Sequence, residues 1–287
     1  MNREEREHEY QKQFDRDGFT VWKGLFESPE LLKAAQEAVE EIRTGEYATG
    51  EFPQGPQFWW PLSSKEQLCK IEMPHRSHSA LERLIHHPAL AHAMETITQA
   101  SLVQLFWVTV FYKEPFSTEA EVSHRVGWHQ DWLYWHNDWE DDSELFSAWI
   151  PLTSVDQDSG TLRFLPGSHR WGETGMGNLW KQELHAQLEE IEDARGEALE
   201  VVRPEIALGD VSFHRCLTFH GSPANTSSEP RSALVLNLRT QRSTPRGGAY
   251  LGMREWLRAE EWNPVLVGKR PSGFQNDPRS LSFRREW

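Results

Sequence analysis

A histidine and an aspartate two residues apart, His129 and Asp131, are the first side chains in this sequence that could do chemistry together. On a β-strand, residues i and i+2 point to the same face, so the imidazole and the carboxylate would lie side by side. Two imidazoles and one carboxylate on one side of iron(II) form a facial triad that leaves coordination positions open. His214 and His220 are candidates for the second imidazole, and His220 is favoured because it ends an apolar run just before a Gly-Ser-Pro turn. The pattern therefore predicts an iron site of His129, Asp131 and His220.

An arginine eleven residues after His220 is placed to bind an anion near that site. The segment 223–230 has the composition of a turn, and Arg231 returns beside His220 if the turn joins two antiparallel strands. A guanidinium binds a carboxylate through two parallel hydrogen bonds. A dicarboxylate that chelates iron at one end needs such a cation at its other end. Ser222 shares the strand parity of His220 and is expected to add a hydroxyl.

Candidate substrate contacts are less sharply defined. Beyond Arg231, the leucines at positions 234, 236 and 238 are predicted to enter the core, which leaves Asn237 and Arg239 facing the cavity. An aromatic wall would hold a flat hydrophobe or a quaternary ammonium, whereas basic residues would favour an anion. The aromatic candidates are Trp59, Trp60, Trp132 and Trp135, and the basic ones are Lys70, Arg163 and Arg239.

Other polar motifs are expected to be structural. His169 follows a Pro-Gly-Ser sequence and is expected to stabilise a tight turn. We expect His124 and His136 to lie on the surface or in the core, and the same holds for His214 if it is not a metal ligand. The acidic run 138–144 is expected to be a solvated loop, because it lacks the glycine and the spacing of a calcium-binding loop.

The elements that must position these residues change character along the chain. Residues 1–100 contain helical patterns, with Ser28 and Pro29 typical of a helix start. Residues 101–240 contain short β-rich runs separated by Gly and Pro turns, which indicate a double-stranded β-helix (a jelly-roll, cupin-like barrel). The acidic segment 173–199 is predicted to be an inserted lid, and 241–287 a C-terminal extension. The predicted fold class is mainly β with flanking helices, in a single domain over 1–287.

The sequence patterns also predict the individual elements. The predicted helices are Glu4–Phe14, Leu31–Ile42, Ser79–Ile85 and Pro88–Thr98. The predicted strands are Phe19–Trp22, Val103–Tyr112, Gly127–Leu133, Phe146–Leu152, Gly160–Leu165, Glu200–Ile206, Asp210–Phe213, Leu217–His220 and Ala233–Thr240.

Composition narrows the class of partner. The chain has 287 residues and a formal charge of −14, which argues against nonspecific nucleic-acid binding because that depends on neutralising phosphates with Lys and Arg. No uncharged apolar run approaches the ~20 residues of a membrane span. The two cysteines form no metal-binding or redox pair, which fits a reduced compartment. We therefore expect a cytoplasmic protein with a small-molecule substrate; the oligomeric state stays open.

Several short motifs along most of the chain occur together in one known family. They are Asp17–Val21, Ser28–Glu30, His87–Leu90, Lys113–Pro115, Trp128–Asp131, Phe146–Leu152, Ser159–His169, Gly209–Val211 and His220–Arg231. In these motifs the sequence resembles the phytanoyl-CoA dioxygenase family of iron(II)- and 2-oxoglutarate-dependent oxygenases. The resemblance implies iron ligation by His129, Asp131 and His220, with Arg231 binding 2-oxoglutarate. It also implies contacts from Trp149 and, in a loose alignment, from Lys70.

The function implied is oxidative decarboxylation of 2-oxoglutarate coupled, with O2, to hydroxylation of an unactivated C–H bond in a small organic substrate. The family also includes desaturation and ring-forming chemistry, so the outcome stays open. The alternative is a cupin-like metal-binding jelly-roll protein without oxygenase activity, such as an isomerase or a binding protein. A noncatalytic interaction protein is disfavoured by the complete set of candidate ligands.

Overall fold

Two antiparallel sheets form the body of the protein. The computed structural model describes residues 2–53, 68–115, 124–180, 183–246 and 253–269. Within these residues the larger sheet has the strand order β1-β7-β5-β9-β3-β10, with β2 also paired to β3, and the smaller sheet has the order β4-β8-β6. This is the predicted jelly-roll arrangement. The strands are β1 Phe19–Trp22, β2 Cys69–Glu72, β3 Val103–Lys113, β4 Val126–His129, β5 Leu145–Pro151, β6 Arg163–Phe164, β7 Val211–Arg215, β8 His220–Ser222, β9 Arg231–Thr240 and β10 Val265–Val267.

The helices that precede β3 in the chain pack against the larger sheet in the main hydrophobic core. The first begins at Asn2, whose side chain accepts a hydrogen bond from the Glu5 amide while the Glu5 carboxylate accepts one from the Asn2 amide. The second begins at Ser28, whose hydroxyl accepts from the Leu31 amide, as the Ser-Pro sequence predicts. The helices are α1 Arg3–Asp17, α2 Pro29–Thr44, α3 Ser79–Ile85, α4 Pro88–Thr98, α5 Trp132–Trp135, α6 Leu184–Arg195 and α7 Met253–Trp256.

Strand β9 separates the core from the cavity by simple alternation. Its leucines at 234, 236 and 238 are fully buried in the main hydrophobic core, together with residues of α1 to α4. On its other face Arg231, Val235 and Asn237 line a cavity between the sheets. The predicted parity of this strand is therefore confirmed.

Four predicted strands are wrong in their extent. Gly160–Leu165 is a strand only at Arg163–Phe164, and Leu217–His220 is a strand only from His220, where β8 begins. The run Gly127–Leu133 leaves the sheet at His129, because Asp131 has helical backbone angles (φ −57°, ψ −32°) and α5 begins at Trp132. The run Glu200–Ile206 forms only one bridge, Val202 to Phe164. Pro204 lacks the amide hydrogen that a continuous ladder needs.

The segment predicted as a lid is bonded to strand β4 of the smaller sheet at Asn178 and Leu179. The Gly127 amide donates to the Leu179 carbonyl (2.9 Å), and the Asn178 amide donates to the Trp128 carbonyl (2.9 Å). Helix α6 then packs Ile191 against the same strand. The segment therefore builds one wall of the cavity and places Trp180 at its mouth.

Candidate metal centre and co-substrate cavity

Two histidines on neighbouring strands of the smaller sheet face one another. His129, the last residue of β4, is the register partner of His220, the first residue of β8, and their ring centroids are 4.1 Å apart. Asp131 reaches them from the turn between β4 and α5. One ligand atom from each of the three lies within 4.8 Å of the other two. The structure thus brings together the predicted triad, although Asp131 arrives from a helical turn and not from a strand.

Backbone carbonyls orient both imidazoles. The Nδ1 of His129 lies 2.8 Å from the Gly127 carbonyl, and the Nδ1 of His220 lies 3.0 Å from the Thr218 carbonyl. A carbonyl only accepts, so each Nδ1 carries the hydrogen and each Nε2 keeps a free lone pair. Both Nε2 atoms face Asp131 Oδ1, at 3.5 Å and 3.6 Å. This is the tautomer and orientation that a metal ion requires.

The second oxygen of Asp131 is already bound by protein. Oδ2 accepts a hydrogen bond from the Ser147 hydroxyl (2.9 Å), which in turn accepts from the Asn237 amide (3.1 Å). His214 Nε2 lies 3.4 Å from the same oxygen. These contacts turn Oδ1 toward the two histidines. Asn237, which the sequence predicts to contact substrate, therefore binds the Ser147 hydroxyl that orients the Asp131 carboxylate.

The charge states of the triad suit metal binding. Burial raises the pKa of Asp131, but the neighbouring imidazoles of His220, His129 and His214 outweigh it and hold that pKa well below its usual value. Burial, with His129 and His214 nearby, lowers the pKa of His220 far below its usual value. An ionised carboxylate and a neutral imidazole are the forms that bind a metal ion.

The triad lies in a cavity of about 250 Å³ whose inner end is basic. Arg231 lines that end and is only 2% exposed. Its Nη2 donates to the Gly160 carbonyl (2.6 Å) and its Nε to the Ser159 carbonyl (3.3 Å), and no carboxylate of the described residues pairs with it. Burial lowers the pKa of Arg231 to about 9. An unpaired buried guanidinium is costly, and an incoming anion would relieve that cost.

Trp149 and Ser222 complete the inner end beside Arg231. The Arg231 guanidinium lies 5.5 Å from the centroid of the Trp149 ring, and Ser222 lies on the same cavity wall. Sequence reasoning overlooked a third contributor, Lys113, which is fully buried and donates to the Ser222 hydroxyl at 2.6 Å. Its position at the end of a strand, before Glu-Pro, gave no sign of burial.

Comparison with known proteins agrees with this geometry. The family model described as phytanoyl-CoA dioxygenase matches residues 14–233. The protein belongs to the phytanoyl-CoA dioxygenase family. An ectoine dioxygenase from Bordetella parapertussis is 26% identical over 249 residues, covering 80% of this chain and 74% of that protein. A probable alpha-ketoglutarate-dependent hypophosphite dioxygenase from Stutzerimonas stutzeri is 24% identical, covering 79% of this chain and 77% of that protein. The crystal structure of SnoK, a non-heme alpha ketoglutarate dependent carbocyclase from nogalamycin biosynthesis, has the same fold, with a TM-score of 0.66, 21% identity, and coverage of 90% of this chain and 96% of that one.

The outer part of the cavity in this phytanoyl-CoA dioxygenase family member is aromatic, with one ion pair. Lys70 Nζ lies 3.1 Å from Glu72 Oε1, and Glu72 Oε2 accepts from Trp107 (2.6 Å) and Thr109 (2.5 Å). Lys70 thus lines the cavity but already has a carboxylate partner. The ring-bearing residues of this part are Trp107, Phe111, Tyr134, Trp135 and Trp180.

Three candidate substrate residues lie away from the cavity of this family member. Trp132 is buried in the core and donates its indole N–H to Glu173 at 3.0 Å. Arg163 lines a separate cavity together with Arg203. Arg239 donates to the Gln104 amide oxygen at 2.9 and 2.7 Å, outside the triad cavity. Trp59 and Trp60 lie outside the described residues.

Basic residues that follow β9 form ion pairs with the acidic run 138–144. Arg242 pairs with Glu144 at 2.5 Å, and Arg246 pairs with Asp141 at 2.5 Å. The run 138–144 is therefore held by ion pairs along its length, and no metal cluster involving it occurs within the described ranges.

Proposed function

We propose that this protein is an iron(II)- and 2-oxoglutarate-dependent oxygenase of a small organic substrate, with iron held by His129, Asp131 and His220. One observation carries the proposal: a triad of the right composition shares a cavity with Arg231, a buried cation for which the described residues provide no carboxylate partner. Residues 1–287 form one oxygenase domain in this proposal, since β10 of the C-terminal extension pairs with β3.

The residues fit the metal. Two Nε2 lone pairs and Asp131 Oδ1 point to one region, while Oδ2 is occupied by Ser147. Three protein ligands on one side of an octahedral ion leave positions for a co-substrate and oxygen. The Ser147–Asn237 pair fixes the carboxylate orientation, as outer contacts of metal ligands commonly do.

The residues also fit a dicarboxylate co-substrate. Arg231 offers the planar donor fork that a distal carboxylate accepts in bidentate fashion, and Ser222 offers a hydroxyl. Trp149 covers the guanidinium face and keeps water from the pair, which strengthens their attraction.

Bound iron(II) and 2-oxoglutarate supply the oxidation: O2 and the oxo acid yield succinate and carbon dioxide, and the substrate C–H bond becomes C–OH. The chain's own residues orient the reactants and exclude water. His129 and His220 keep their Nδ1 hydrogens on carbonyls, Arg231 fixes the far end of the co-substrate, and the aromatic mouth covers the site.

The substrate is a small molecule that fits the aromatic outer part of the cavity. Relatives are named for ectoine and hypophosphite, and the walls here present rings beside the Lys70–Glu72 ion pair. A compound with a nonpolar body and polar termini matches those walls. Two free cysteines accord with a cytoplasmic location, and no helix of the described ranges has the length and apolarity to span a bilayer.

The test is a screen for substrate-stimulated succinate release over a small-molecule library, with the iron-loaded protein. Succinate release, a product heavier by one oxygen atom, and loss of both in His220→Ala would support the proposal. Tight iron binding with no succinate under any condition would favour the cupin-like metal-binding protein instead.

A further inference from the structure

Lys113 and Arg231 form a pair of buried basic residues at the inner end of the cavity. They are register partners on β3 and β9, and both line the cavity wall. Lys113 is 0% exposed and Arg231 is 2% exposed. Within the described residues no carboxylate pairs with either one, so two cationic side chains share a dry site without a counter-ion.

Among the described residues, the Lys113 ammonium donates to neutral acceptors only. Nζ donates to the Ser222 hydroxyl (2.6 Å), the Pro223 carbonyl (2.5 Å) and, more weakly, the Ser222 carbonyl (3.3 Å). An ammonium carries three hydrogens, so these contacts use all its donors and leave its charge uncompensated. Burial first, and then the charges of Arg231 and Arg163, lower the pKa of Lys113. An anion at this end of the cavity would stabilise the charged form.

The contact with Lys113 constrains the Ser222 hydroxyl. A hydroxyl has one hydrogen and two lone pairs, and Lys113 occupies one lone pair. No acceptor for the hydroxyl hydrogen occurs among the described residues, while Ser222 lines the cavity beside Arg231. The hydrogen is thus left for a guest in the cavity.

We propose that Lys113 is a positioning residue for the co-substrate: it holds Ser222 as a donor to the distal carboxylate that Arg231 binds, and adds a second buried charge that selects 2-oxo diacids over 2-oxo monoacids. This inference rests on the proposed function. Lys113 acts through that hydroxyl and through its charge, since its three hydrogens are already donated to Ser222 and Pro223.

A purely structural role makes a different prediction. The Lys113 ammonium also donates hydrogen bonds to the carbonyls of Ser222 and Pro223, so in a purely structural role it would only stabilise the turn after β8. That turn has another anchor, because the buried Asn225 amide donates to the Lys113 backbone carbonyl (3.1 Å) and to the Glu229 carbonyl (2.8 Å). A substitution of the Lys113 side chain leaves this anchor in place, so the variant is expected to fold.

The experiment compares two probes that differ only at the distal carboxylate, 2-oxoglutarate and 2-oxopentanoate. Their dissociation constants are measured anaerobically by calorimetry with the iron-loaded wild type, Lys113→Met, Ser222→Ala and the double variant. Lys113→Met should weaken 2-oxoglutarate by roughly 10- to 100-fold, the range for one hydrogen bond to a charged group, and change 2-oxopentanoate by less than about threefold. Ser222→Ala should weaken 2-oxoglutarate in the same selective way, and its effect should shrink in the Lys113→Met background.

Lys23→Met is the matched control, because Lys23 is half exposed and pairs with Asp210 away from the triad cavity; it should change neither constant. Equal weakening of both probes in Lys113→Met, or no weakening of either, would overturn the inference. If Lys113→Met does not fold, unchanged 2-oxoglutarate binding in Ser222→Ala overturns it by itself. A wild-type protein that binds iron but neither probe would instead refute the proposed function.

Discussion

Replacing Arg231 with methionine separates co-substrate binding from folding. Methionine keeps much of the side-chain length but removes the positive charge and all five donors. In the free protein Arg231 is 2% exposed, and among the described residues its guanidinium donates only to the Ser159 and Gly160 carbonyls. The loss of these contacts is offset by removal of a buried unpaired charge, so the free energy of unfolding should change by no more than about 2 kcal/mol.

The effect on 2-oxoglutarate should be much larger. With the fork gone, the distal carboxylate is desolvated against Ser222 and Trp149 without its bidentate partner. Losing one member of such a pair costs roughly 2–5 kcal/mol, or about 30- to several-thousand-fold in affinity. Arg231→Lys should recover only part of this, because an ammonium cannot reproduce two parallel hydrogen bonds.

Anaerobic calorimetry with 2-oxoglutarate, beside thermal unfolding of the metal-free protein, measures both quantities. Iron affinity is the internal control and should stay near the wild-type value, because Arg231 contacts none of the three triad side chains. A folded Arg231→Met that binds 2-oxoglutarate within about threefold of wild type would refute the placement of the carboxylate at this residue.

Three further outcomes are expected. His220→Ala should abolish iron-dependent 2-oxoglutarate turnover in a folded protein, whereas His214→Ala should retain iron binding. If an iron titration showed that His214→Ala loses iron and His220→Ala keeps it, His214 would be the metal ligand in place of His220. Leu236→Ala, at a fully buried core position, should lower the free energy of unfolding by about 2–5 kcal/mol in urea titrations, with little change in iron affinity. Burial lowers the pKa of His75 from 6.5 to about 3. Between these two pH values the unfolded chain binds a proton that the folded protein does not bind. The free energy of unfolding should therefore fall as the pH falls, by up to about 1.4 kcal/mol per pH unit. His75→Gln should flatten that slope in unfolding curves measured from pH 7 to 4, and an unchanged slope would contradict the assignment.

Alternation of apolar and polar residues predicted the larger sheet well, because successive side chains of a strand point to opposite faces of the sheet. The leucines of β9 lie in the core and Arg231 and Asn237 face the cavity, as alternation requires. Arg239 has the same strand parity as Arg231 and Asn237 but does not line the cavity. It pairs with Gln104, on the far side of the register shift between Leu105 and Trp107 of β3. A pattern along one strand carries no information about where its neighbour is irregular.

The structure brings the three predicted ligand residues together, but Asp131 arrives by a different route from the one that the strand argument assumed. Asp131 reaches the histidines because the chain turns into α5 after His129, a change that the pattern of tryptophans around it does not reveal. That turn also sends Trp132 into the core. Lys113 could not be found from its own neighbours, because its burial depends on register with Arg231 in a strand more than a hundred residues later.

The bonding of residues 173–180 to β4 bears on how such an enzyme can change its substrate over evolution. The attachment uses backbone amides and carbonyls of Gly127, Trp128, Asn178 and Leu179, which do not depend on side-chain identity. Gly177 is the exception, since a Cβ there would lie 2.4 Å from the Trp128 carbonyl oxygen. The side chains of Leu179 and Trp180 nevertheless form cavity wall. Mutations at those two positions can therefore change substrate preference while the strand that carries His129 keeps its place.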